Sequence, residues 1–494
     1  MPHNEIIKVD NLCFSYEEES PPLFPPLSFS LQKGTITLLK GPSGSGKSTI
    51  LRCINGLYPR GHVESKLDGE ITVFGKKVED YPPGELAKHV GMVFQNPRHQ
   101  WCMRTIREEV AFGLENIGIP REEMDLKIDE VLRLVGLTPF GNTLIDQLSG
   151  GYQQRLALAC VLVMEPSILL LDEPTSQLDP YTRKKWIDLL LHLKNTLDLT
   201  ILVVEHNTRD WLPISDQVIS IGQQSPDSQV TFSPSLRKRS IGDEIIRLER
   251  VDFRYHKKAP LRIKDISASA KKGERIAIIG ANGSGKSTVL SLLAGLRRPT
   301  KGDCYLELKG YQKWKETILH ERLGFVFQNP DWQFVEDTVL EDALVSVATN
   351  PTLVEKGKEY LKNFGLGEMF YHHPLSLSEG QKKRLSVLTA ILPNPTVLLL
   401  DEPTFGQDAN TTAILWKTLE EYTEAGGTLI CVTHDMEWVD AFFDRVWLID
   451  QGSVIFNGAP RQLWKHKDLV EKCHLLPPKE KKDGDYHAEL FVPC

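Results

Sequence analysis

The nine residues from Gly41 to Thr49 read GPSGSGKST, and the chain repeats them as GANGSGKST from Gly280 to Thr288. Both copies fit the spacing G-x-x-x-x-G-K-[ST], which constrains the local fold tightly. An apolar run precedes each copy, ITLL or IAII, and predicts a buried strand. The glycines then let the backbone wrap so that successive N–H groups face an anion, and the following helix adds its own free N–H groups and positive dipole end. Those helices read KSTILRCING and KSTVLSLLAG, closed by Gly56 and Gly295, where a left-handed cap belongs. Lys47 and Lys286 are suited to reach the terminal phosphates of a nucleotide. The Ser48 and Ser287 hydroxyls suit Mg²⁺, a hard cation that prefers oxygen.

The repeat extends beyond the loop. EIIKVDNLCFSY at 5–16 matches EIIRLERVDFRY at 244–255, and the offset of 239 positions (286 − 47) is the one that separates the two lysines. The chain is therefore two copies of one unit. At 494 residues it exceeds one ordinary core. The predicted division is a first unit over 1–222, a Ser/Pro/Gln-rich linker over 223–243, a second unit over 244–473 and a flexible tail over 474–494. A net charge of −8, with only small Lys/Arg clusters, argues against a nucleic-acid partner. Eight cysteines stand singly, without C-x-x-C pairs, as expected in a reducing compartment. No apolar run approaches the roughly 20 residues that cross a bilayer, so membrane work would go through other chains.

Further candidates fall at matching places in the two halves. Tyr16 and Tyr255 end the opening β-rich segments at equal distance from their phosphate loops, either as packing residues or as platforms for an adenine ring. VGMVFQNP at 90–97 and LGFVFQNP at 323–330 place Gln95 and Gln328 at strand ends, within reach of a metal ion or water. About fifty residues with helical periodicity follow in each half. They lead to LSGGYQQR and LSEGQKKR, in which Ser149 and Ser378 are expected to cap helices. SILLLDEPTSQLD and TVLLLDEPTFGQD read as buried parallel strands ending in paired carboxylates, Asp172 with Glu173 and Asp401 with Glu402. TILVVEHN and TLICVTHD are buried strands ending in His206 and His434.

In this order, twice over, these residues resemble the ATP-binding-cassette (ABC) ATPases along nearly all of both halves. They match the Walker A loop, glutamine loop, LSGGQ-like signature, Walker B strand, D-loop and switch histidine. The resemblance implies an α/β fold of two P-loop NTPase (RecA-like) cassettes, each with an N-terminal antiparallel β subdomain and an inserted α-helical subdomain. It implies ATP and Mg²⁺ as cofactors. Phosphate contacts fall on Gly41, Pro42, Ser43, Gly44, Ser45, Gly46, Lys47, Ser48 and Thr49, and on Gly280, Ala281, Asn282, Gly283, Ser284, Gly285, Lys286, Ser287 and Thr288. Signature contacts fall on Ser149, Gly150 and Gly151, and on Ser378, Gly380 and Gln381. The resemblance also implies head-to-tail pairing of the two halves. Lys47, Gln95, Asp172, Glu173 and His206 would share a site with the second signature, and Lys286, Gln328, Asp401, Glu402 and His434 with the first. The D-loop aspartates Asp179 and Asp408 would couple the two sites. Asp172 and Asp401 would hold Mg²⁺, with Ser48, Gln95, Ser287 and Gln328. Glu173 and Glu402 would activate water, and the histidines would contact the γ-phosphate. Hydrolysis of this kind needs positioning and charge neutralisation more than covalent help.

The second glutamine in QNPRHQ and QNPDWQ is similar to the ATPases of energy-coupling-factor (ECF) importers, here in a fused form. That narrower resemblance implies import of a vitamin, a vitamin precursor such as a thiamine-type pyrimidine, or a metal ion. The partners would be a transmembrane coupling subunit and a small substrate-binding membrane subunit at the cytoplasmic face. Trp101 and Phe334, just behind the glutamines, read equally as helix packing or as a docking surface. Two other readings share the tandem layout, a fused sugar-importer ATPase and a soluble cassette pair acting on ribosomes or DNA. The intact Lys286 and Ser287 argue against the first; the short linker and isolated cysteines argue against the second. Two departures stand out, Tyr152 in the place of the signature glutamine and Glu379 in that of a glycine.

Overall fold

The structure, a computed structural model, describes residues 5–17, 21–42, 44–61, 64–82, 84–176, 178–205, 208–221, 241–404 and 409–478. These residues form two compact units, 5–221 and 241–478. Most of the linker, most of the tail, Ser43, His206 and Asp408 lie outside the described residues.

In the first unit the strands are β1 (Glu5–Ser15), β2 (Leu27–Gln32), β3 (Ile36–Lys40), β4 (Lys66–Val73), β5 (Lys76–Lys77), β6 (Val90–Val93), β7 (Ile168–Asp172), β8 (Thr200–Val204) and β9 (Gln217–Ser220). They form an antiparallel sheet of order β2-β1-β4-β5 and a parallel sheet of order β6-β7-β8-β3-β9. β6, β7 and β8 are buried along their whole length because both of their faces are covered, whereas the edge strand β9 is half exposed. Leu169 and Leu171 of β7 point into the core shared with the inserted helices, whereas Ile168 and Leu170 point into the core shared with β1 and the phosphate-loop helix. The helices are α1 (Lys47–Ile54), α2 (Ile106–Asn116), α3 (Arg121–Leu134), α4 (Gly150–Leu162) and α5 (Pro180–Leu197), of which α2 to α4 arise from the insertion between β6 and β7.

The second unit repeats the plan. Its strands are β10 (Glu244–Phe253), β11 (Ile263–Lys271), β12 (Arg275–Ile279), β13 (Lys301–Leu306), β14 (Lys309–Gly310), β15 (Leu323–Val326), β16 (Val397–Asp401), β17 (Thr428–Val432), β18 (Arg445–Asp450) and β19 (Ser453–Gly458). The antiparallel sheet runs β11-β10-β13-β14 and the main sheet β15-β16-β17-β12-β18-β19, with β19 antiparallel at the edge. Its helices include α6 (Lys286–Leu293), α7 (Glu316–Arg322), α8 (Val339–Leu344), α9 (Pro351–Asn363), α10 (Glu379–Ile391) and α11 (Ala409–Glu424). Within the stretch of helical periodicity that follows Gln328, the run TVLEDALVSVA is helical only from Val339 to Leu344. Asn350 caps the next helix through Thr352 N and Leu353 N, with Pro351 at its first turn, so the intervening residues serve as a connection. Leu475, two residues past Cys473, is buried in the second unit's core. Each described cysteine is a free thiol, and among the described residues no helix is long and apolar enough to cross a membrane.

Candidate active site

In each unit the candidate residues collect where the parallel strands end at their carboxyl side, the usual place for a ligand in an open α/β sheet. The phosphate loop leaves β3, Gln95 follows β6, Glu173 follows β7, and Glu205 follows β8. The same four exits occur in the second unit after β12, β15, β16 and β17.

The loop glycines are required by contact as well as by conformation. A Cβ on Gly41 would lie 2.6 Å from Ile221 O, and one on Gly280, at φ 144°, only 2.2 Å from Ile449 O. Both neighbours are backbone and cannot swing aside. Lys47 Nζ donates to Gly41 O at 2.8 Å and Pro42 O at 2.6 Å; Lys286 Nζ donates to Gly280 O at 2.8 Å and Ala281 O at 3.0 Å. The lysine is thus held across its own loop, beside the wrapped N–H groups. Gly56 and Gly295 close α1 and α6 at φ 75° and 72°, as their positions predict.

Ser48 Oγ donates to Asp172 Oδ1 at 2.8 Å, and Ser287 likewise hydrogen-bonds Asp401. Burial pushes the Asp172 carboxyl up to about 6, against the pull of Ser48 and with the push of Glu173. Burial and the Glu402 charge do the same to Asp401, also to about 6. Ser45 Oγ, Ser284 Oγ and Asp401 Oδ1 are buried without a partner among the described residues. Orphaned hydroxyls in a phosphate cradle and an orphaned carboxylate oxygen beside a serine fit a nucleotide phosphate and a hard cation.

Glu173 and Glu402 both adopt the left-handed region, at φ 45° and 52°, which for a residue with a side chain costs of order 1–3 kcal/mol. Their amides are tied to Val204 O and Val432 O at 2.9 and 3.0 Å, so the turn out of the strand is held. Gln95 Nε2 donates to Glu173 Oε2 at 2.7 Å. His434 Nε2 lies 3.3 Å from Glu402 Oε1, an ion-pair contact without the alignment of a hydrogen bond. Burial pushes the Glu402 carboxyl up, but His434 and the Lys286 and Lys383 charges outweigh it and hold the group below its ordinary value.

Tyr16 Oη and Thr49 Oγ1 are 2.9 Å apart, and Tyr255 Oη and Thr288 Oγ1 also 2.9 Å. The two tyrosines remain 38% and 47% exposed beside the phosphate loops. Arg297 lies over the Tyr255 ring at 4.7 Å.

The two signatures differ. Ser378 forms a complete capping box, its Oγ accepting from Gln381 N and its own N–H donating to Gln381 Oε1 at 2.9 Å. Ser149 holds the N-cap position of α4 but makes no side-chain cap bond. Tyr152, where the second half has Gln381, has no amide to reach back and packs on Phe140 at 5.0 Å instead. The Glu379 side chain is 56% exposed and lies 3.8 Å from Lys382. Asp179 is the N-cap of α5, accepting from Thr182 N at 2.9 Å and Thr182 Oγ1 at 2.8 Å. Trp101 and Phe334 are partly buried against their unit's core, the packing alternative.

Several contributors escaped the sequence reading. Lys383 Nζ, in α10, donates to Phe327 O, Gln328 O and Asp401 O at 2.8, 3.0 and 3.0 Å; burial pulls this ammonium down to about 8. Glu205, next to His206, accepts from Thr175 N at 3.0 Å. Glu109 accepts from Cys102 N and Met103 N, and Asp342 from Val335 N and Glu336 N, pinning the segment behind each glutamine loop. Only this last pair had a signal, since Glu109 and Asp342 follow Gln95 and Gln328 at equal distance.

The family model described as ABC transporter matches residues 24–176 and again 263–405. The "Putative HMP/thiamine import ATP-binding protein YkoD" of Bacillus subtilis (strain 168) is 38% identical, over 96% of this chain and 95% of its own length. A "Putative ABC transporter ATP-binding protein" of Bacillus cereus is 32% identical, over 92% of each. Among solved structures, cbiO1 of Clostridium perfringens, titled as part of the ABC transporter complex cbiONQ, is 32% identical, with a TM-score of 0.40, over 47% of this chain and 94% of its own. With the family model matched in both halves and relatives aligned over nearly their whole lengths, the chain belongs to the ABC transporter family as a tandem ATP-hydrolysing subunit.

Proposed function

We propose that this chain powers an ECF-type importer, acting at the cytoplasmic face through a transmembrane coupling subunit and a small substrate-binding membrane subunit, and that HMP or thiamine is the cargo. The observation that carries this reading is the 38% identity, end to end, with a relative named for HMP/thiamine import. The doubled glutamine of QNPRHQ and QNPDWQ adds support.

In the proposed chemistry, each phosphate loop and its lysine bind the β/γ-phosphates of ATP. The Ser48–Asp172 and Ser287–Asp401 pairs, with Gln95 and Gln328, would hold Mg²⁺, which supplies charge neutralisation at the transferred phosphoryl group. Glu173 and Glu402 orient the attacking water and accept its proton, each from a left-handed turn at its strand end. His206 and His434 would contact the γ-phosphate, and His434 lies beside Glu402. The cassettes are proposed to span 1–222 and 244–473, with 223–243 as the linker between them and 474–494 as the tail.

The test is uptake in vesicles carrying this chain with the membrane proteins encoded beside it. ATP-dependent accumulation of labelled thiamine or HMP, lost in the E173Q/E402Q double variant, is expected. ATP turnover without uptake of either compound, or co-purification with ribosomes and no membrane chain, would overturn the assignment.

A further inference from the structure

The two units hold their glutamine loops differently. In the second, Lys383 is 3% exposed, and an ammonium has three donors, all of them used here on backbone carbonyls. Two bonds grip the glutamine loop, at Phe327 and Gln328, and the third grips the strand end that carries Asp401 and Glu402. Two more ties join the same loop to α10: Gln333 Nε2 donates to Ser386 O at 2.7 Å, and Lys382 Nζ lies 2.9 Å from Asp331. The signature helix, the glutamine loop and the catalytic strand are thereby bonded to one another.

In the first unit the residue at the place of Lys383 is Gln154, as LSGGYQQR aligns with LSEGQKKR. It is buried at 1% exposure, yet among the described residues neither its Nε2 nor its Oε1 has a partner. Gln100, which matches Gln333, also has its buried Nε2 without a partner among the described residues. A glutamine amide nitrogen has two donors where the lysine ammonium has three, and it sits one atom closer to the backbone.

The geometry points to Lys383 as a positioning residue of the second ATP site, fixing the Gln328 loop against the strand end of Asp401 and Glu402, whereas in the first unit Gln154 takes its place and the loop is tied to that strand end by the Gln95–Glu173 bond instead. Lys383 acts through the loop and the strand end, without touching the reacting atoms itself. The assignment depends on ATP hydrolysis and not on what is imported.

Hydrogen–deuterium exchange on the full chain tests it, followed by steady-state ATPase kinetics. In the wild type, amides of 324–336 exchange about tenfold more slowly than those of 91–103, the difference that a few local bonds would make. K383Q, which places the first unit's residue in the second, brings 324–336 to the rate of 91–103. It lowers kcat about tenfold while KM for Mg·ATP stays within about twofold, because an interaction that positions the reacting groups is lost without loss of nucleotide binding. Q154K slows exchange of 91–103. Equal exchange of the two loops in the wild type would overturn the assignment before any variant is made. So would a K383Q protein with unchanged kcat, or one whose exchange rises along all of 379–391, since either would make the lysine a core support only.

Discussion

At the scale of single residues, Glu205 carries a chemical cost that the sequence does not announce. It sits at the end of β8, 2% exposed, with its carboxyl turned to Thr175. Burial pushes this carboxyl from 4.5 up to about 7; the Thr175 hydrogen bond only partly opposes the shift, and the Glu173 charge adds to it. A raised folded-state value means that the native state keeps its proton where the unfolded chain has lost it. Glu205 therefore contributes stability that is complete below about pH 4.5 and lost as pH rises through about 7. The second unit has uncharged Thr433 at the corresponding place, next to His434. E205Q keeps an oxygen for Thr175 and removes the ionisation. Its melting temperature is expected to gain on the wild type by several degrees between pH 5 and pH 8, about 1–2 kcal/mol. A difference that is the same at both pH values would show that Glu205 titrates as an ordinary carboxylate.

At the scale of elements, the strands were readable because period and burial agree: ILLL and VLLL are apolar throughout and are covered on both faces. The caps were only half readable. Ser149 and Ser378 look alike in the sequence, yet the cap bond also needs a suitable residue three positions on, and Tyr152 cannot act as Gln381 does. A residue that bonds to backbone far along the chain, such as Lys383, leaves no local pattern, whereas Asp342 showed only in its spacing from Gln328, which Glu109 repeats from Gln95. Asp342 is fully buried, and its Oδ1 accepts from Val335 N at 2.8 Å and Glu336 N at 3.2 Å. Replacing it by alanine leaves two amides with no acceptor, at a cost of about 2–3 kcal/mol. D342A is expected to lower the urea midpoint and to raise exchange at 335–336, where the loop meets α8. S378A, which removes one capping bond, costs about 1 kcal/mol, whereas S149A changes stability by a few tenths at most. Equal losses from the two serine variants would show that the capping box adds nothing.

At the scale of the whole molecule, a shared plan is overlaid with unequal chemistry. Each unit places a lysine-bridged phosphate loop, a serine–aspartate pair and a glutamate in a left-handed turn at the same strand ends. Gene-level duplication was legible from the constant offset, and so was the list of motifs. The inequality was legible only in part: Tyr152 and Glu379 stood out from the motif, but the contrast between Lys383 and Gln154 required the distances. Because both units keep the full catalytic set, both are expected to hydrolyse ATP, with the second, whose glutamine loop is pinned, contributing more. E402Q should then leave a smaller residual turnover than E173Q. The double variant should fall by about 10²-fold or more, the usual worth of general-base assistance, while still binding ATP. Steady-state phosphate release and equilibrium nucleotide binding on the three proteins decide the matter. Near wild-type turnover in either single variant would mean that its site is not needed, and equal residual rates would mean that the structural inequality has no catalytic consequence.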